Sequence, residues 1–454
     1  MRSPLAATLG ALLLWTALLA PQAVADDAAT EGLRQTIRDE IEAYSASRPT
    51  DVRVYWKHGL NFASRSGHLK MKIGGRIHFD AYFFNDDGDR DDFDAALGAQ
   101  YRSGMTFRRA RLYNSGLLYE TIGWKLQVEF SGGEVEFADA WVELRRLDEC
   151  WGCMVPDILI GQSKEYFSLE WMTSSNYITF LERGLPVQAF VAGRNSGISL
   201  FQNFFGDQNA RVTAGLGWYG NSTESGDHLW RFGNNITGRI TWLPWAPCDC
   251  EHRWWLIGVS GSYRFDQGLG VRYRVRPDGG LGPRIIDTGN LPAREDIRLG
   301  LETAFNYDRW GFQAECIGAH PQITGEEAPI LWGWYAYATY QLSGGSRALQ
   351  RSRAVIDKTK PCRNFDCSER GRQGQWELAV RYAMLDLEDE AVYGGTVRTL
   401  TVGANWYLNP NFRVMFNYVY AEGENVRTGA GRPAAPSGRD GNLDTFAVRF
   451  SMFW

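Results

Sequence analysis

From residue 68 to the last residue, the chain keeps returning to a hydrophobic period of two. Leu69, Met71, Ile73, Ile77, Phe79, Ala81 and Phe83 fall on one face of a first segment. Lys70, Lys72, Arg76, His78, Asp80 and Tyr82 fall on the other. Side chains alternate across an extended backbone, so this pattern predicts a strand with one greasy and one wet side. The pattern recurs: Trp124, Leu126, Val128 and Phe130 alternate with Lys125, Gln127 and Glu129, and Leu400, Val402, Ala404 and Trp406 alternate with Thr401, Gly403, Asn405 and Tyr407. A sandwich of two sheets would alternate too, so link lengths must decide. About sixteen such segments lie between residues 69 and 454. Tight links, such as Tyr307-Asp308-Arg309 and Asn409-Pro410-Asn411, alternate with long ones, such as 85–104, 164–194, 267–295 and 422–442. Short turns on one rim and long loops on the other predict an all-β, transmembrane antiparallel β-barrel of about sixteen strands. One link breaks the rule: 343–374 should be a short turn and is long.

The N-terminus predicts export. Arg2, the apolar run Leu5 to Ala20 and the small-residue site Ala23-Val24-Ala25 read as a signal peptide over residues 1–25. Residues 26–50 form a second segment, in which Leu33, Ile37, Ile41 and Tyr44 recur at helical spacing over 29–47. This predicts a short amphipathic helix, long enough for a two-heptad trimeric coil, or else a solvated tail. Pro49 ends it. Residues 51–454 are the expected barrel. The longest uncharged stretch, 328–346, is broken by Pro329, Gly333, Gly344 and Gly345 and does not read as a membrane helix. The mean hydropathy of −0.34 is no objection, because half of each barrel strand faces water. Aromatic residues at 14% and 50 glycines suit strands, girdles and turns. A net charge of −5 argues against a nucleic-acid partner, which would want a basic balance. At the other end, Phe446, Val448, Phe450, Met452 and Trp454 alternate up to the last residue. Trp454 is then the expected contact for the barrel-assembly machinery, and outer-membrane lipid the expected surroundings.

The order of certain motifs resembles the phosphate- and polyphosphate-selective porins, the porin O and P group. They include Lys72-Ile73-Gly74-Gly75-Arg76, Phe107-Arg108-Arg109-Ala110-Arg111-Leu112, Gly161-Gln162-Ser163-Lys164-Glu165, Phe167-Ser168-Leu169-Glu170, Thr173-Ser174-Ser175-Asn176, Glu182-Arg183-Gly184-Leu185-Pro186, Gly193-Arg194-Asn195-Ser196-Gly197, Trp376-Glu377-Leu378-Ala379-Val380-Arg381-Tyr382 and Asn405-Trp406-Tyr407-Leu408-Asn409-Pro410-Asn411. The resemblance implies a sixteen-stranded barrel in the bacterial outer membrane, a homotrimer, with loop 3 folded into the lumen. It implies passive diffusion of small hydrophilic solutes, with selectivity for anions or phosphate as the finer expectation.

Loop 3 is expected at about 164–194, so Lys164, Glu170, Arg183 and Arg194 are candidates for the constriction. Charge at the narrowest point sets the field that a solute meets. The same side chains could instead pin the loop to the wall. Arg109 and Arg111 are two apart and share a face, as do Lys72 and Arg76, and rows of guanidinium groups bind phosphate or carboxylate. Acidic Asp80, Glu129, Asp139 and Glu143 share these faces, so the sign of the lining stays open. The loop from Asp86 to Asp94 is acidic, which suits a solvated loop. Cys150, Cys153, Cys248, Cys250, Cys362 and Cys367 cluster in links on one rim, where disulfides are expected more than metal, and Cys316 falls mid-strand. No cofactor or metal site is predicted. No hydrolase, zinc-protease or P-loop motif occurs, which weighs against an outer-membrane enzyme. A structural barrel tethered through its N-terminal helix is the remaining alternative.

Overall fold

The computed structural model describes residues 52–454 except 86–100, 148, 150–154, 205–210, 221–234, 248–251, 266–269, 278–280, 369–372 and 428–430, together with 32, 34–40 and 43. The expected signal peptide, the acidic loop 86–94 and Cys150, Cys153, Cys248 and Cys250 lie outside the described residues. Of the expected N-terminal helix, residues 34–40 are described; they are helical and exposed.

Two short strands, β1 (Val52–Trp56) and β2 (Leu60–Ser64), form a hairpin that the periodicity from residue 68 did not predict. The wall begins with β3 (Leu69–Phe84), β4 (Gly104–Leu118), β5 (Ile122–Glu129), β6 (Glu136–Leu144) and β7 (Asp157–Lys164). It continues with β8 (Arg194–Phe204), β9 (Val212–Tyr219), β10 (Asn235–Trp245) and β11 (Arg253–Arg264). A small ribbon, β12 (Arg274–Val275) and β13 (Ile286–Asp287), sits in the next loop. Then come β14 (Ala293–Tyr307), β15 (Trp310–Ile323) and β16 (Leu331–Gln341). A second ribbon, β17 (Leu349–Gln350) and β18 (Val355–Ile356), precedes β19 (Gln375–Asp389), β20 (Val392–Asn409), β21 (Phe412–Glu424) and β22 (Gly441–Phe453). Leaving out the hairpin and the two ribbons, sixteen strands pair antiparallel, and β22 pairs with β3 to close the cylinder. Closure leaves no unpaired edge in lipid, where an unmet backbone group is costly. No helix among the described residues is long and apolar enough to cross a membrane.

Burial separates a barrel from a sandwich. In β3 the polar His78 and Asp80 are fully buried, while Ile77 and Phe83 are 38% and 49% exposed. β20 repeats this: Thr401 and Asn405 are buried, and Leu400 and Val402 lie open. The wall is wet inside and greasy outside, as lipid demands. Cys316 is a free thiol on the greasy face, and Cys362 and Cys367, expected among the disulfide-forming cysteines of the rim, are free too.

The closing seam explains the first motif. Gly75 exchanges backbone hydrogen bonds with Trp454, 3.1 and 3.0 Å. A Cβ on Gly75 would lie 2.5 Å from the Trp454 indole, and one on Gly74 would lie 2.4 Å from the Tyr113 ring. Two adjacent glycines therefore let one aromatic ring pack on each side of β3. Gly161 has a second reason to be glycine: its φ of +126° is open to few other residues, and a Cβ would meet the Ala140 carbonyl at 2.3 Å.

Candidate functional site: the constricted lumen

Loop 3, residues 165–193, folds into the barrel and carries two short helices, α1 (Leu169–Met172) and α2 (Leu185–Phe190). Its apolar side chains decide which wall it joins. Phe180, Leu181, Leu185 and Phe190 are fully buried, in one cluster with Tyr335, Ala383 and Leu385 of the β16–β19 wall. Four wall arginines hold its backbone there. Arg381 Nη1 donates to the Glu182 carbonyl (3.0 Å), and Arg413 Nη1 to that of Ile178 (2.9 Å). Arg298 donates to the carbonyl of Phe190 and Arg449 to that of Leu181. Arg449 also forms a two-bond pair with Asp80, 2.7 Å each, and reaches Glu182 at 2.9 Å. This half of the lumen is thereby filled.

The other half stays open as a cavity of about 550 Å³ between loop 3 and the β3–β10 wall. Among the described residues its lining holds twelve arginines and lysines and two carboxylates, Asp139 and Glu182. Arg76, Arg109, Arg111, Lys164, Arg183 and Arg194 all line it. Arg194 and Lys125 share Asp139, at 2.7 and 2.6 Å, and Arg111 Nε pairs with Glu129 Oε2 at 2.5 Å. Arg109 is buried with its Nη1 4.0 Å from Glu182.

Other cations are held by neutral oxygens instead. Arg76 Nη1 donates to Ser175 Oγ at 2.8 Å. Lys164 Nζ donates to the carbonyls of Trp171, Met172 and Thr173, at 2.5, 3.2 and 3.1 Å. Arg183 donates to those of Glu170 (2.9 Å) and Thr173 (3.0 Å) and lies 4.8 Å from the Trp171 ring centre. From loop 5, residues 265–292, Arg276 and Arg284 reach the same cavity and bond the carbonyls of Gly282 and Arg274. A carbonyl fixes a guanidinium without cancelling its charge. Burial, with Arg194 and Arg108 nearby, pushes Arg183 down to about 10, still charged at neutral pH. Burial opposes the charge on Glu182, yet Arg108, Arg109 and Arg449 hold its carboxyl well below the usual range.

Two of the expected residues lie elsewhere. Glu170 is buried within loop 3, where its Oε2 accepts from the Gly184 N–H at 2.8 Å. Lys72 lines a second cavity of about 280 Å³ nearer the rim where β3 begins and β22 ends, with Lys70, Glu143 and Arg145. The sequence reading missed Arg108, which donates to both oxygens of Glu182, at 2.8 and 3.1 Å. Its signal is a conflict of phase: His78 pairs with Arg109 but Phe79 with Phe107, so Arg108 is the extra residue of a β-bulge. Phe107 and Leu112 both lie outside, which strict alternation cannot allow five residues apart. Also unforeseen were Lys125 and Arg239, and Arg353 from the anomalous link.

Comparison with known proteins agrees with this geometry. The chain is 25% identical over 427 residues to porin O of Pseudomonas aeruginosa, covering 84% of this chain and 89% of that one. It is 28% identical over 389 residues to a protein of Caulobacter vibrioides, covering 83% and 72%. The anion-selective porin from Comamonas acidovorans shares the fold at a TM-score of 0.51 and 12% identity, covering 85% of this chain and 100% of that one. The outer-membrane channel DcaP of Acinetobacter baumannii does so at 0.50 and 11%, covering 87% and 99%. A closed sixteen-stranded wall, a lumen narrowed by loop 3 and a match over residues 71–438 together make this an outer-membrane porin, a member of the family described as phosphate-selective porin O and P.

Proposed function

We propose that this porin passes small anions, phosphate among them, in preference to cations. The observation that carries this reading is the set of lining cations held by neutral oxygens: Arg76, Lys164, Arg183, Arg276 and Arg284. Their charge is left for the solute, and low-dielectric walls concentrate it. Guanidinium groups donate two parallel bonds to a phosphate, so the same row can hand an oxyanion onward. Both the family description and the anion-selective relative are in keeping with it. The test is the reversal potential of single channels across a chloride gradient in planar bilayers. Anions should be favoured by about tenfold or more, and millimolar phosphate should reduce the chloride current. A cation-selective reversal potential would overturn the reading.

We infer that the channel works as a trimer joined through β5–β7. β5 and β7 have 8 residues each, against 18 in β20. A strand needs about 9–11 residues to cross a bilayer, so this low wall suits a protein neighbour better than lipid. Phe107 and Phe137, 57% and 62% exposed, stand at its upper edge. Native mass measurement in mild detergent should give three copies; a lone barrel would refute it.

A further inference from the structure

The link of residues 342–374 begins on β16 and ends on β19, yet its middle reaches the opposite wall. Arg353 Nη2 lies 2.8 Å from Glu143 Oε1 on β6, and its guanidinium sits 4.6 Å from the Phe201 ring centre on β8. Around the sixteen-stranded wall, β6 stands across the lumen from β16. Residues 342–368 of the link therefore form a strap across the inside of the barrel, at the end where β3 begins and β22 finishes. It passes under loop 3: Ile356 N–H donates to Thr173 Oγ1 at 3.3 Å, and Ala354 and Ile356 share a small apolar cluster with Leu169. Its near end is held where Arg347 Nη2 donates to Tyr337 Oη at 2.7 Å. Its far end has three polar ties: Arg239 to the Ala354 carbonyl, 2.9 Å, Arg351 Nη2 to the Pro247 carbonyl, 3.0 Å, and the pair with Glu143.

The position of that pair is particular. Arg353 lines the 550 Å³ cavity, Glu143 lines the 280 Å³ cavity beyond it, and Trp141 borders both. Arg353 is about a third exposed, at 31%, so solute can reach it. Glu143 has a second partner, Arg145 Nε at 3.4 Å. Losing Arg353 would therefore not strand it as a lone buried charge.

We propose that Arg353 and Glu143 form an exit latch that a permeating anion opens by exchange. The anion replaces Glu143 as the partner of Arg353, the tip of the strap comes away from β6, and the pair closes again once the anion has moved on. Exchange of one oxyanion for another keeps a charge-assisted bond on the guanidinium throughout, so the step is nearly balanced. A cation would have to replace Arg353 at Glu143, whose side chain is only 3% exposed, and it meets Arg353 and Arg145 as like charges. The proposal rests on the anion-selective reading, and the experiment separates the two.

Single channels of the full protein are recorded in planar bilayers, starting with the parent. A cation-selective reversal potential overturns both readings. In an anion-selective parent, adding phosphate at constant chloride should raise the frequency of brief open-level transitions in proportion to its concentration. Glu143→Gln keeps the shape of the side chain and takes the charge out of the tie, leaving at most a neutral hydrogen bond; conductance should rise by about twofold with more flicker and no loss of anion preference. Arg353→Ala should raise conductance similarly and lower the anion-to-cation permeability ratio by about threefold, while Arg353→Lys should hold that ratio near the parent's. Phosphate-independent transitions in the parent, or parent-like conductance and selectivity in both Glu143→Gln and Arg353→Ala, would sink the latch and leave the anion reading standing.

Discussion

Loop 3 and the strap narrow one lumen from opposite ends by different physics. Loop 3 is joined to the wall by large apolar side chains, Phe180, Leu181, Leu185 and Phe190, and by arginines on its carbonyls. Its polar partners are almost all buried, where a missing member leaves another stranded. The apolar groups that the strap buries are small or modest, Ala354, Val355 and Ile356, and of its polar ties the one to β6 is made by Arg353, which is part-exposed to the cavity. Apolar burial is insensitive to passing ions, whereas an ion pair beside water is open to competition. A channel that needs a fixed constriction and a yielding exit can build the first from grease and the second from charge.

The sharpest way to break this contrast is Arg449→Met. It leaves Asp80 and Glu182 without their shared guanidinium and should cost about 4–5 kcal/mol. Denaturant unfolding in detergent would measure that loss, and noisy, enlarged conductance would report the freed loop. Phe180→Ala should cost about 3–4 kcal/mol in the same assay through the cavity it opens. Ile356→Ala removes less, about 2 kcal/mol, and should free the strap while the barrel's own unfolding midpoint stays put. Comparable destabilisation of the barrel by Ile356→Ala and Phe180→Ala would erase the distinction.

Salt gives a gentler test. Raising it from 0.1 to 1 M shortens the screening length from about 10 to 3 Å, so trypsin should cut faster after Lys358 and still spare Arg183. Acid should do least. Glu182 has its pKa lowered by its arginines, so its contribution is present above the ordinary carboxylate pKa and is lost only as pH falls through the lowered value. Open-channel noise should therefore stay constant from pH 7 down to about 4. A rise near pH 5 would mean that Glu182 is not held as described.

Much of the wall was legible in the sequence because strand alternation is local. The segments expected at 69–84 and 375–386 match β3 and β19 at their starts, and β19 runs three residues further. The hairpin β1–β2 precedes the repeating pattern that starts at residue 68 and is too short to carry it, although Val52, Val54 and Trp56 alternate. Arg76, Arg109 and Arg111 could be placed on the wet face by parity alone. Arg108 could not, since a bulge depends on how β3 and β4 slide past each other.

Residue order by itself determined a closed, membrane-spanning cylinder, the strand count and which face of each strand meets lipid, because these follow from a period of two and from link lengths. Tertiary structure alone decided that loop 3 fills one half of the lumen and leaves cations facing the other, that Glu170 serves the loop rather than the cavity, and that the overlong link crosses the barrel to reach Glu143. Those outcomes depend on contacts between residues hundreds of positions apart, as between Arg353 and Glu143, and no local spacing encodes the partner of a charge.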